Sequence, residues 1–73
     1  MPSKYPICTS SEIIKTLRQF GFIEVSQKGS HIKLSNGKRV CIVPNHKEVL
    51  KGTLKSILTQ AGVSLDEFLE KLW

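Results

Sequence analysis

Two glycines, Gly29 and Gly37, stand in the middle of the sequence between short runs rich in apolar residues. Glycine takes the positive φ that tight hairpin turns need, so the pair restricts the centre of the chain to three antiparallel strands joined by two hairpins. The first turn is expected at Lys28-Gly29, between strands over residues 22–27 and 30–35. That register sets Ser26 opposite His31, Val25 opposite Ile32, Glu24 opposite Lys33 and Ile23 opposite Leu34. Side chains alternate along a strand. Ile23, Val25, Ile32 and Leu34 then share one face, and Glu24, Ser26, His31 and Lys33 share the other. At the second turn, Ser35-Asn36-Gly37-Lys38, the Asn-Gly pair is a strong hairpin signal. A two-residue loop would place Ile32 opposite Cys41 and leave Val40 and Ile42 on the polar face. A three-residue loop through Lys38 places Ile32 opposite Ile42 and Leu34 opposite Val40. A slip of one residue turns every side chain to the other face, so the three-residue loop is expected, with Arg39 and Cys41 beside His31 and Lys33. Pro44, which cannot donate to a ladder, ends the third strand.

Helical patterns flank the hairpins. Thr9 and Glu12 have the spacing of a capping box, Ile13, Ile14, Leu17 and Phe20 recur at helical spacing, and Gly21 supplies a stop. Lys15 and Arg18 fall on the solvated side. A second helix carries the stripe Leu54, Ile57, Leu58 and Ala61 and ends at Gly62. Ser64 and Glu67 cap a short third helix bearing Leu65, Phe68, Leu69 and Leu72. Residues 1–8 contain Pro2 and Pro6 without apolar periodicity, and are expected to be a loosely packed tail. The order helix, three antiparallel strands, helix and short helix gives an α+β, two-layer arrangement with helices on one sheet face and the other face open. It resembles the double-stranded-RNA-binding-domain type of fold.

Charge narrows the function. The 73 residues leave room for a single domain with one small core and little stability in reserve. Through Val63 there are ten Lys and Arg against three Glu, a balance of +7, while from Ser64 onward one Lys against three acids gives −2. An acidic partner for the upstream part is implied, nucleic acid among the candidates. No apolar run reaches the length of a membrane span, and the N-terminus lacks the long apolar core of a secretory signal, so a cytoplasmic protein is expected. Cys8 and Cys41 lack a CxxC or CxxH context and read as reduced thiols.

Of the two histidines, His31 falls on the polar face beside the first turn, with Ser30 adjacent and Lys28 and Lys33 near it. A lone histidine in a small protein is usually a surface or packing residue. Here it lies on a rigid strand among cations that attract phosphate, an apparatus suited to RNA. His46, Lys47, Lys51 and Lys55 run across a loop into the second helix. Lysines at a helix N-terminus oppose the helix dipole at a small cost, and the functional reading is a phosphate-binding corner made with the helix amides. A zinc site built from Cys8, His31, Cys41 and His46 is chemically possible, but the spacings fit no common ligand pattern, and neither metal nor cofactor is expected.

The segments Leu17-Arg18-Gln19-Phe20-Gly21-Phe22, Lys28-Gly29-Ser30-His31, Val43-Pro44-Asn45-His46, Lys51-Gly52-Thr53-Leu54-Lys55-Ser56-Ile57-Leu58 and Ala61-Gly62 occur in this order. Taken together, from about Ser10 to Leu69, the chain resembles the HicA toxin family, also called YcfA-like. The resemblance implies a small mRNA interferase, a ribonuclease that arrests translation and is neutralised by a HicB antitoxin. The family's essential histidine, in its Gly-Ser-His motif, falls on His31. Gly52, Thr53 and Leu54 match a segment that starts the second helix, and His46 matches a common family position. The Pro-containing N-terminal tail is longer than in many family members.

RNA carries its own nucleophile, so chemistry without a metal is expected. A base removes the 2′-hydroxyl proton, the oxygen attacks the adjacent phosphate, and an acid protonates the leaving 5′-oxygen. His31 is the candidate for one of these roles, and His46, a lysine or water for the other. Lys28, Lys33 and Arg39 would hold phosphate and stabilise the charge that develops. Two other readings compete: a non-catalytic RNA-binding module, and a toxin-like protein that serves only as an interaction partner.

Overall fold

The computed structural model describes residues 5–72, so the part of the expected N-terminal tail that covers residues 1–4 lies outside the described residues. The elements run α1 (Ser10–Arg18), β1 (Ile23–Lys28), β2 (His31–Ser35), β3 (Val40–Pro44), α2 (Lys51–Ala61) and α3 (Leu65–Leu72). The strands form one antiparallel sheet in the order β1-β2-β3. The architecture is the expected α+β one, with a helical layer on one face of the sheet and a short C-terminal helix.

Local signals work as the sequence implies. At α1 the Thr9 hydroxyl accepts the Glu12 N–H at 3.1 Å, and the Glu12 carboxylate accepts the Thr9 N–H at 2.8 Å. Such a cap satisfies two amides that would otherwise lack partners. Ser64 and Glu67 repeat the arrangement ahead of α3, at 3.1 and 3.0 Å. Gly62 closes α2 in the left-handed region, φ +71°. The inner face of the sheet, Ile32, Leu34, Cys41 and Val43, packs in one core with Ile13 and Leu17 of α1 and Leu54, Ile57 and Leu58 of α2. Phe68 of α3 is fully buried in that core, worth roughly 2–3 kcal/mol by area. Ahead of α1, Cys8 is buried and bridged to Val49, whose N–H donates to the Cys8 carbonyl at 2.7 Å.

Both hairpins depart from the expected registers. The first turn is Gly29-Ser30 rather than Lys28-Gly29: Lys28 pairs with His31 and Gln27 with Ile32. Gly29 at φ +61° followed by a residue with negative φ fits a turn with glycine first. The ladder then shifts between Glu24 and Ser26, a bulge at Val25. Ile23 consequently pairs with Ser35 and Glu24 with Leu34, so Glu24 faces the helices, where Arg18 of α1 meets it at 3.6 Å. Ile23 and Val25 do not share the core face with Ile32 and Leu34, and they remain 61% and 50% exposed. The helices cover β2 and β3, leaving β1 as an overhanging edge, so burial could not select its register.

In the second hairpin the loop takes four residues, and Ser35 pairs with Val40, Leu34 with Cys41 and Ile32 with Val43. The Asn36 side chain accepts the N–H groups of Lys38 and Arg39 at 2.9 and 2.7 Å, which lengthens the turn beyond the expected three residues. Cys41 and Val43 therefore point inward, whereas Val40 and Ile42 lie on the open face. Cys41 is fully buried, not on the open face as expected. Burial pushes its thiol pKa up from an ordinary 9.0 to about 11. Alternation could not decide this register, because Val40-Cys41-Ile42-Val43 is apolar at every position.

Candidate functional site

The first hairpin holds His31 at the start of β2, exposed on the open face. Lys28 is its direct cross-strand partner, so the two side chains stand side by side, and Lys33 follows two residues along on the same face. With Ser26 and Ile42 these residues line a shallow hollow of about 510 Å³. Ser30 contributes through its backbone. Its carbonyl accepts the Asn45 N–H at 2.6 Å, tying the turn to the segment that follows β3.

That segment brings the second histidine round to the first. The Cα partner of His31 is Pro44, two residues before His46. The His46 N–H donates to the Pro44 carbonyl at 3.0 Å, its own carbonyl accepts the Ser10 N–H at 3.1 Å, and the Ser10 hydroxyl donates to the Asn45 side-chain oxygen at 3.2 Å. Buried Ser10 at the start of α1 thus anchors the chain at Asn45 and His46. His31 and His46 line one groove of about 470 Å³ between β3 and α2, together with Glu48, Thr53, Ser56 and Gln60. His31 and Ile42 also border the basic hollow, so His31 stands where the two depressions meet.

The other expected contacts separate into groups. Lys47 is exposed and shares a different hollow with Thr9, Ser10, Asn45 and His46 at the start of α1, so His46 borders both that hollow and the groove. Lys51 and Lys55 are exposed on α2 but are not among the residues that line the groove. No side chain caps the N-terminus of α2, and no acidic residue lies in its first turn, so Lys51 stands beside amides free to meet an anion, with Lys55 one turn further along. Arg39 does not join His31 and Lys33. It lies on the helix side of the second hairpin, where it donates to the Gln60 carbonyl at 3.4 Å and packs over Gly62. The added loop residue accounts for the change of side.

Glu48 and Gln60 are groove residues that sequence reasoning missed. The Gln60 side-chain oxygen accepts the Ile42 N–H at 3.0 Å, capping the free edge of β3 and fixing α2 as the far wall of the groove. Its spacing three residues after Ile57 placed it beside the apolar stripe, a signal that was available. Glu48 carries no such mark. Among the described residues no group of three or more His, Cys, Asp or Glu is placed to hold a metal ion, and no helix is long and apolar enough to cross a membrane.

A family model described as HicA toxin of bacterial toxin-antitoxin matches residues 10–63, well over half of the chain. No curated protein matches the sequence.

Proposed function

The chain belongs to the HicA toxin family of bacterial toxin–antitoxin systems, and from that premise we propose that it is an endoribonuclease that cleaves mRNA through His31. The observation that carries this reading is the position of His31: exposed on a rigid strand, beside Lys28 and Lys33, at the junction of a basic hollow and a groove. An imidazole can take or give a proton near neutral pH. Lysines beside it attract the phosphate and offset the charge that builds on its oxygens as the 2′-hydroxyl attacks. The products are a 2′,3′-cyclic phosphate and a 5′-hydroxyl, and DNA, which lacks the nucleophile, is not cut. Lys28, Ser30, Lys33, His46, Lys47, Lys51 and Lys55 form the RNA-contacting surface around it.

On this reading the antitoxin is a HicB-type protein that covers the open sheet face. Ile23, Val25 and Val40 are 61%, 50% and 45% exposed on it, and a partner that buries them together with the neighbouring cations displaces RNA at the same time.

Expression of wild type and His31→Ala in bacteria, with growth and intact mRNA followed in parallel, tests both halves. Wild type is expected to arrest growth and deplete mRNA, and co-expressed antitoxin to restore growth. His31→Ala is expected to do neither harm, since losing one positioned acid or base costs about 10²–10⁴-fold in rate. Equal toxicity of the two proteins without mRNA loss would overturn the nuclease reading in favour of a non-catalytic RNA-binding module or a protein-interaction partner.

A further inference from the structure

One positioned histidine cannot both remove the 2′-proton and deliver a proton to the leaving oxygen in the same step. The groove between β3 and α2 supplies a second group. His31 and His46 lie on its walls, from β2 and from the segment after β3. The remaining titratable group there is Glu48. β3 contributes Ile42 and Pro44, and α2 only neutral side chains, among them Thr53, Ser56 and Gln60. Lys28 and Lys33 lie on the adjoining hollow rather than in the groove. A carboxylate can serve as the base of such a step but is a poor acid, whereas an imidazole can serve as either, so His46 fits whichever role His31 leaves open.

We propose that His46 is a second catalytic residue, the proton-transfer partner of His31 across this groove. The inference rests on the ribonuclease reading above and deepens it. One imidazole accepts the 2′-hydroxyl proton as the 2′-oxygen bonds to phosphorus. The other gives a proton to the 5′-oxygen as the P–O5′ bond breaks. One proton is taken and one is delivered, and no further reactant is consumed. The backbone holds the two segments together, because Asn45 is tied to the carbonyl of Ser30 next to His31, and His46 to Ser10. These anchors use main-chain atoms of His46, so its side chain can be replaced without removing them.

The test is single-turnover cleavage of an mRNA transcript by wild type, His31→Gln and His46→Gln across a range of pH, with binding measured separately on 2′-O-methyl RNA, which cannot be cleaved. Wild type is expected to give a bell-shaped rate profile. His46→Gln is expected to lose about 10²-fold or more in rate at saturating RNA and to lose one limb of the bell, changes larger than any weakening of its binding to 2′-O-methyl RNA. A His46→Gln enzyme that keeps both limbs, or whose defect lies in binding, makes His46 a phosphate contact and overturns the inference while leaving the ribonuclease reading intact. A wild-type protein that does not cleave RNA overturns that reading itself.

Discussion

Arg39 changes sides according to the length of one loop. In the expected register it joins His31; in the structure it reaches the carbonyl of Gln60 and lies over Gly62, where an added Cβ would come within 2.6 Å of its Nε. Lys33 stays on the open face under either register, with Ser26 and Ile42 as its partners in the structure. The two cations should therefore separate in binding. Lys33→Ala is expected to weaken affinity for 2′-O-methyl RNA by about tenfold, the scale of one charge-assisted hydrogen bond, and Arg39→Ala by less than about twofold, at one fixed salt concentration. An equal loss for both would return Arg39 to the RNA surface. His31 was legible from the sequence because a strand next to a glycine turn leaves few places for it. His46 was legible as a residue, but its meeting with His31 depends on pairing Pro44 with His31, a contact between distant parts of the chain.

Among the elements, the helices and the presence of both hairpins were readable, but the hairpin registers were not, for a reason of range. Capping boxes and apolar stripes act within one or two turns of the chain, so Thr9, Glu12, Ser64 and Glu67 announce their helices without help from elsewhere. Hairpin register depends on which face another layer covers. The Asn36 side chain, which holds the N–H groups of Lys38 and Arg39, is the local device that fixes the second one. Asn36→Ala is expected to lower stability by about 1–2 kcal/mol, since two exposed hydrogen bonds of ordinary worth are lost. Urea unfolding reads this as a lower midpoint with an unchanged slope. A change below about 0.3 kcal/mol, within the range of ordinary surface substitutions, would mean the loop holds its shape without that side chain.

At the scale of the whole molecule, one core serves both layers, and Cys41 lies at its centre with no exposed surface. Its pKa, raised to about 11, has a consequence for alkaline stability. Between pH 9 and 11 the unfolded chain gives up the thiol proton while the folded chain retains it, so the unfolded state binds fewer protons and stability falls as pH rises. Below pH 9 both states hold the proton and this dependence vanishes. Wild type is expected to lose about 2 kcal/mol more than Cys41→Val across that interval, measured as the difference between their denaturant midpoints; parallel curves would show that the thiol ionises without unfolding. The sequence by itself determined the element order, the helix ends, the excess of positive charge upstream of Ser64 and the family motif around His31, because each is a matter of local spacing or composition. Only the tertiary structure decided which face of β3 is buried, where β1 overhangs, that Arg39 turns to the helix side and that His31, His46 and Glu48 line one groove. Those choices depend on where α1 and α2 come to rest on the sheet, and an apolar run such as Val40-Cys41-Ile42-Val43 fits either face until they do.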